Sequence, residues 1–226
     1  MGCYLLVDKS ASMGYRGPAW RGKSSPAPDE EVSKLDYAFY LASALAYLMI
    51  KQGDKVGLSL FDTRLVRHIR PGGTFPHLYQ VLNALEGQKA GERTAISRIL
   101  VEAWPRFQRR GLLVVLSDFL DEPAALFRAL DRYRHRRFEI ILFHILHRFE
   151  FELPPIDRVK FVDSETGEII ASRPADIRAG YDAQMQAFIR MLRAGAQSRG
   201  IDYHFVTTET PYSEVLRSYL VRRNSR

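Results

Sequence analysis

The segment LLVDKSASMG, residues 5–14, places three oxygen-bearing side chains directly after an apolar run. They are Asp8, Ser10 and Ser12. A second apolar run, LLVVL at residues 112–116, is also followed by an aspartate, Asp118. Carboxylates and hydroxyls offer only oxygen, the ligand type that hard divalent cations such as Mg²⁺ prefer. The two segments therefore predict a cation site, provided that the fold brings them together.

A parallel sheet is the architecture that could position these oxygens. Short apolar runs such as residues 3–7 and 112–116 are typical of strands buried on both faces. They alternate with segments of helical spacing, such as residues 35–50 and 77–85. The alternation predicts an α/β fold with a doubly wound, mostly parallel sheet and helices on both faces. In such a sheet ligands bind outside the carboxyl ends of the strands, where the strand order reverses.

The other elements follow from the same patterns. One antiparallel edge strand is expected over residues 65–69, because the turn Asp62-Thr63 is too short for a parallel crossover. An inserted β-hairpin is expected near residues 159–172, around Glu165-Thr166-Gly167. Further strands are predicted at 56–61, at 138–146 and ending at 205–206, and further helices at 95–107, 122–136, 180–199 and 212–221.

A third oxygen-bearing segment lies between these elements. The polar loop GQKAGERTAI, residues 87–96, carries Thr94 just before a predicted helix. If this loop opens at the same sheet edge, five side chains converge: Asp8, Ser10, Ser12, Thr94 and Asp118. Two carboxylates and three hydroxyls suit Mg²⁺ or Mn²⁺ and leave room for an outside anion to complete the coordination shell.

The composition limits the class of protein. The chain has 226 residues with 46% hydrophobic and 26% charged content, which fits a single domain spanning residues 1–226. No apolar run approaches the roughly 20 residues that cross a bilayer, and the start lacks the basic and cleavage regions of a signal peptide. We therefore expect a cytoplasmic protein without membrane contact. The lone Cys3 excludes an intramolecular disulfide and a cysteine-rich metal site.

The net charge of +7 raises the question of nucleic acid. The basic residues are spread along the chain, and the densest run, at residues 131–137, falls at the end of a predicted helix, where cations suit the helix dipole. No recognition helix, zinc finger or aromatic-interleaved strand accompanies the charge. Electrostatic binding of nucleic acid is therefore a minor alternative.

The pattern DKSAS at residues 8–12, followed by Thr94 and by Asp118 in LSDF, resembles the metal-ion-dependent adhesion site of von Willebrand factor A-type (VWA) domains. That site has the form Asp-x-Ser-x-Ser, Thr, Asp. The resemblance implies that the two serines bind the metal directly and that the two aspartates act mainly through bound water. It implies either mode for the threonine, and protein partners whose acidic side chain takes the open coordination position.

A narrower resemblance covers almost the whole chain. Residues 5–14, 33–62, 111–119 and 199–211 resemble the bacterial family catalogued as domain of unknown function fifty-eight. In that family the gene commonly neighbours one for a MoxR-type AAA+ ATPase, which implies an adaptor or chaperone-linked role. Members usually carry several dozen residues before the first strand, whereas this chain begins almost at that strand, so we expect a shortened member or a misplaced start.

An enzyme is the alternative hypothesis. Haloacid dehalogenase-type phosphatases also present a nucleophilic Asp at a strand end beside Mg²⁺, and Asp8 could take that role. Their general acid is a second Asp two residues later, where this chain has Ser10, which cannot protonate a leaving group. The glycine-rich phosphate-binding motifs are also missing. We therefore predict a protein that is not an enzyme.

The loop after the first oxygen cluster, residues 15–33, contains Trp20 with Arg16 and Arg21 nearby. Tryptophan and arginine are favoured anchors in interfaces, so these three residues are candidates for contact with an acidic partner. Alternatively, Trp20 folds back as a lid over the core. His144, within a predicted strand, is interpreted as a core or switch residue.

Overall fold

The computed structural model describes residues 1–17, 32–93, 95–107, 109–153, 159–162 and 169–217. Its strands are β1 (Gly2–Asp8), β2 (Lys55–Phe61), β3 (Leu65–Gly72), β4 (Leu112–Ser117), β5 (Glu139–Leu146), β6 (Val159–Val162), β7 (Ile169–Ser172) and β8 (Asp202–Thr207). Its helices are α1 (Lys34–Lys51), α2 (Phe75–Leu85), α3 (Ile96–Ala103), α4 (Pro123–His135), α5 (Arg148–Phe151) and α6 (Pro174–Gln197), with a further helical segment over residues 212–217.

Six strands form one sheet in the order β3-β2-β1-β4-β5-β8. Strand β3 runs antiparallel to β2, and the other neighbouring pairs are parallel. The predicted doubly wound, mostly parallel sheet with one antiparallel edge strand is thus confirmed. The predicted hairpin is also confirmed, because β6 and β7 pair in antiparallel fashion as a separate two-stranded sheet.

The sheet is apolar on both faces because the parallel strands alternate between two hydrophobic clusters. In β1, Cys3, Leu5 and Val7 pack in a cluster with α1 and α2, whereas Tyr4 and Leu6 pack in a cluster with α3 and α4. This double burial is why the strands read as continuous apolar runs rather than as alternating patterns. It also leaves the strand ends as the place where polar side chains can gather.

Helix α1 begins with a capping box. The Ser33 hydroxyl oxygen accepts a hydrogen bond from the Asp36 backbone N–H at 3.0 Å, and the Asp36 carboxylate accepts one from the Ser33 backbone N–H at 3.1 Å. These bonds satisfy backbone donors that the first turn of a helix leaves without partners. The cap fixes the start of the helix, so that Lys34 is its first residue.

Three helices differ from the sequence prediction. Helix α6 begins at Pro174, six residues earlier than predicted, since proline is well suited to the first turn of a helix. Helix α3 ends at Ala103 and a 3₁₀ turn follows, because Pro105 has no backbone N–H to continue the α-helical hydrogen bonds. The single-turn helix α5 was not predicted; it is too short for periodicity to reveal.

Candidate functional site

Strands β1 and β4 are neighbours, and this pairing brings the two aspartates to one edge of the sheet. Val7 of β1 lies opposite Leu116 of β4, so Asp8 follows at the level of Ser117, and Asp118 comes one residue later at the same sheet edge. Strand β1 also separates β2 from β4, where the order of the strands reverses. Both carboxylates are fully buried. The sequence had predicted this crevice as the position of the site.

The oxygen-bearing side chains around Asp8 form one hydrogen-bonded cluster. Oδ1 of Asp8 accepts from the Ser10 backbone N–H at 2.8 Å, and Oδ2 accepts from the Ser117 hydroxyl at 2.6 Å. The hydroxyls of Ser10 and Ser12 lie 3.2 Å apart, and Ser12 also hydrogen-bonds the Asp118 carboxylate. Four of the five predicted ligands therefore meet in one buried cluster.

Thr94 lies outside the described residues. The loop before it is described and contacts the Asp8–Ser12 segment. The Ala11 N–H donates to the Glu92 carbonyl at 2.8 Å, and the Gly91 N–H donates to the Lys9 carbonyl at 2.5 Å. The backbone of this loop is thus held against the segment that carries Ser10 and Ser12.

The predicted partner-binding residues are described only in part. Trp20 and Arg21 lie outside the described residues, so the two alternatives for Trp20 stay open. Arg16 is 46% exposed, and its guanidinium lies 2.8 Å from the Asp36 carboxylate. This ion pair places Arg16 beside the capped start of α1.

Lys34 is one of the site residues that the sequence analysis missed. Its side chain is fully buried, and its ammonium nitrogen lies 2.8 Å from Asp118 Oδ2 and 2.6 Å from Glu150 Oε1. Glu150 is itself fixed by the His147 N–H, which donates to Oε2 at 2.7 Å. A signal for Lys34 existed in the sequence: a lysine directly after an N-cap serine places a cation where the helix dipole disfavours it.

The charges at the site perturb one another. Burial and the nearby charge of Asp118 raise the pKa of Asp8 to about 6, against the hydrogen bonds from Ser117 and Ser10. Burial would also raise the pKa of Asp118, but the charge and hydrogen bond of Lys34, together with hydrogen bonds from Ser12 and the Leu120 backbone, hold that pKa below its usual value. Burial acts to lower the pKa of Lys34, yet Asp118 and Glu150 raise it above its usual value. Lys34 and Asp118 therefore form a charged pair, whereas Asp8 is poorly compensated.

The donor set fits a hard divalent cation. The Lys34 ammonium contacts the carboxylates of Asp118 and Glu150, and the carboxylate of Asp8 lies near that of Asp118. With all four groups ionised, their formal charge is −2. A divalent cation would neutralise that charge. In the described part of the chain, no group of three or more His, Cys, Asp or Glu side chains is arranged to hold a metal ion. The four proposed ligands that the structure describes include only two carboxylates, those of Asp8 and Asp118, and the other two are the hydroxyls of Ser10 and Ser12.

His144 lies beside this cluster, opposite Ser117 on the neighbouring strand β5. It is fully buried among aromatic rings, and its Nδ1 lies 2.6 Å from the Tyr203 hydroxyl. Burial lowers the pKa of His144 to about 3, although the charge of Asp118 acts in the opposite direction. The imidazole is therefore neutral at ordinary pH, which agrees with the core interpretation and not with a switch near neutrality.

Three solved structures are similar to this chain. The first, from Bacteroides fragilis NCTC 9343, is described as an aerotolerance-related membrane protein with multiple mutations to serines (TM-score 0.64, 17% identity, 100% of this chain and 99% of that chain covered). The second is the conserved hypothetical protein BatB of Bacteroides thetaiotaomicron (TM-score 0.61, 14% identity, 100% of this chain and 99% of that chain covered). The third is the SpRpn10 VWA domain (TM-score 0.51, 12% identity, 96% of this chain and 94% of that chain covered). Likeness at such low identity shows that the fold is VWA-like.

These comparisons contradict the predicted cytoplasmic location, because the protein from B. fragilis is described as a membrane protein. The prediction rested on the lack of an apolar run and of signal-peptide features in the sequence, and neither determines where a protein of this fold works. Among the helices in the described part of the chain, none has the length and apolar character needed to cross a bilayer.

Among curated proteins, none matches this chain significantly. The family model described as "protein of unknown function DUF58" matches residues 1–188, which is most of the chain and includes the whole candidate site. The match and the VWA-like fold agree with the resemblance seen in the motifs. The chain belongs to the DUF58 family.

Proposed function

We propose that residues 1–226 form a single VWA-like interaction domain that binds Mg²⁺ or Mn²⁺ and presents the ion to an acidic group of a protein partner. The proposed ligands are Asp8, Ser10, Ser12, Thr94 and Asp118. The observation that carries the proposal is the meeting of Asp8, Ser10, Ser12 and Asp118 in one buried cluster at the reversal point of the sheet.

The small side chains support an open coordination site. Ser10 and Ser12 bring two hydroxyl oxygens to 3.2 Å from each other, and neither side chain extends beyond its hydroxyl. A cation bound there would act as a Lewis acid and would attract a carboxylate from outside. Both oxygens of Asp8 already accept hydrogen bonds, which supports a role for Asp8 in orienting the other ligands rather than in direct coordination.

A catalytic role has less support. A phosphatase of the haloacid dehalogenase type needs a free carboxylate oxygen as nucleophile, whereas the oxygens of Asp8 are bonded to Ser10 and Ser117. Ser10 also stands where the general acid is needed. We therefore propose that the domain binds a partner and does not catalyse a reaction.

We further propose that the partner is a MoxR-type AAA+ ATPase, as the family resemblance implies. The similar protein from B. fragilis is described as a membrane protein, so the search for the partner should include the membrane fraction. The expected contact is an acidic side chain of the partner on the bound ion, and Trp20, Arg16 and Arg21 are the proposed anchors beside it.

Calorimetric titration with Mn²⁺ tests the metal site. We expect one bound ion, lost in Asp8→Asn and in Asp118→Asn. Asp62→Asn is the matched control, because Asp62 is also buried after a strand at this edge, but its Oδ1 accepts from the Arg64 N–H at 3.2 Å in a local turn. Unchanged Mn²⁺ affinity in both site variants would show that the site is not where we place it.

A pull-down from the source cell tests the interaction. The partner should be retained with Mg²⁺ present and released by a chelator, and the Asp118→Asn variant should retain none. If retention of the partner does not change with chelator but falls steeply as the salt concentration rises, electrostatic binding is favoured instead, which is the mode expected for nucleic acid.

A further inference from the structure

Lys34 places a cation of the protein itself on one of the proposed metal ligands. The ammonium contacts Asp118 Oδ2 at 2.8 Å and Glu150 Oε1 at 2.6 Å, and the lysine side chain is fully buried. The contact joins the first residue of α1 to the end of β4 and to the single-turn helix α5. Any ion that binds Asp118 through Oδ2 must therefore displace the ammonium or share the oxygen with it.

Stability alone does not account for this arrangement. Burying an ammonium and two carboxylates carries a large desolvation cost, which ion pairing repays only in part. The position is also unfavourable for a cation, because it lies at the positive end of the α1 dipole. A buried lysine at this place suggests a role in which its charge can be exchanged.

Glu150 supplies the second partner that such an exchange needs. Its Oε2 is fixed by the His147 N–H at 2.7 Å, so Oε1 stays in position beside the ammonium. If Lys34 leaves Asp118, it can keep one carboxylate and remain neutralised. Asp118 then becomes available to a divalent cation without exposing an unpaired ammonium in the interior.

We propose that Lys34 is an internal competitor of the divalent cation: it occupies Asp118 when the metal is absent and withdraws onto Glu150 when the metal binds. This inference rests on the proposed metal site. It explains how the buried carboxylates of Asp8 and Asp118 can stay close to each other when no divalent cation is bound. It also predicts that the charge of Lys34 weakens the affinity of the site for the divalent cation.

The test is Mn²⁺ titration of Lys34→Met, Lys34→Arg and Glu150→Gln beside the wild type, each shown to be folded by circular dichroism. Lys34→Met removes the competitor and should bind at least about 10-fold more tightly, because one repulsive charge is lost near a divalent ion. Glu150→Gln removes the alternative partner and should bind about 5-fold or more weakly. Lys34→Arg keeps the charge and should stay near the wild-type affinity.

Competition predicts that Lys34→Met tightens Mn²⁺ binding and that Glu150→Gln weakens it. A purely structural role of Lys34 and Glu150 would weaken binding in both variants. Tighter binding in Lys34→Met together with weaker binding in Glu150→Gln, or measurable binding in Lys34→Met alone, supports the inference. If the wild type binds Mn²⁺ and Lys34→Met binds no more tightly, the competitor is refuted and the metal site stands. If neither protein binds Mn²⁺, the metal site itself is refuted.

A second measurement needs no variant and remains decisive if Lys34→Met does not fold. The side-chain ¹⁵N resonance of Lys34 is followed in the wild type during titration with Mg²⁺. We expect it to shift as the ammonium leaves Asp118, whereas that of the exposed Lys51 should not move. A Lys34 resonance that stays constant while the amides of Ser10 and Ser12 shift would refute the exchange.

Discussion

The ammonium nitrogen of Lys34 lies 2.8 Å from Oδ2 of Asp118, and both side chains are completely buried. The two residues are 84 positions apart, and each follows a different local signal: a helix cap for one and a strand end for the other. Their contact links α1 to the sheet at the candidate site. Without it, a charged Asp118 would lie in the interior beside a second carboxylate.

Breaking this ion pair from one side should strongly destabilise the protein. Lys34→Met leaves Asp118 buried and unpaired, and we expect a loss of about 3–5 kcal/mol in the free energy of unfolding. Adding Asp118→Asn to Lys34→Met should recover part of that loss, because it removes the carboxylate charge that has lost its counter-ion. Urea denaturation of the four proteins of this double-mutant cycle, in the presence of a chelator, measures the coupling. Additive losses would show that the pair is not energetically coupled.

The poorly compensated charge of Asp8 should make stability depend on pH. Its pKa is about 6 in the folded protein against an ordinary value of 3.8, so the folded state binds the proton more tightly. The stabilising contribution of protonated Asp8 is therefore complete below the ordinary value and is lost as the pH rises through about 6. Relative to Asp8→Asn, the wild type should gain stability on acidification, by at most about 1.4 kcal/mol per pH unit.

Chemical denaturation of both proteins with chelator, between about pH 4.5 and about pH 7.5, measures this difference. The comparison cancels the opposing effect of His144, whose lowered pKa of about 3 costs stability on acidification, because both proteins contain it. If the difference in unfolding free energy between the two proteins does not change with pH, the surroundings of Asp8 do not raise its pKa.

Two glycines of α6 should respond in opposite directions to alanine. A Cβ at Gly195 would collide with the ring of Phe127 on α4, whereas a Cβ at Gly180 meets no atom within 4 Å. Gly195→Ala should cost about 1–3 kcal/mol through overpacking, and Gly180→Ala should gain about 0.5–1 kcal/mol through helix propensity. Urea midpoints of the two variants measure both effects. Equal shifts would show that the two helices do not approach closely at Gly195.

The capping box of α1 should contribute measurable stability. Ser33→Ala removes the acceptor for the Asp36 N–H, and we expect a loss of about 1 kcal/mol. Ser43→Ala, in the interior of the same helix, is the matched control and should be neutral or slightly stabilising, since alanine is the better helix former. Thermal unfolding of both variants tests the cap; equal effects would contradict it.

Much of the fold could be predicted because the strands are buried on both faces. Apolar runs such as residues 112–116, when helical segments lie between them, are readily identified as strands of a parallel sheet. Helix boundaries were less predictable where one residue outweighs periodicity: Pro105 shortens α3, and Pro174 starts α6. The single turn of α5 carries no periodicity, so Glu150 could not be connected with the site.

The sequence by itself determined the types and order of the oxygen ligands, because Asp8, Ser10 and Ser12 are neighbours in the chain and Asp118 ends a recognisable strand. Only the tertiary structure decided that a lysine also belongs to the cluster. Lys34 reaches Asp118 and Glu150 across 84 and 116 residues, and such a contact depends on how helices cross the sheet edge. Local pattern fixes which side chains follow a strand, whereas long-range packing fixes which charges they meet.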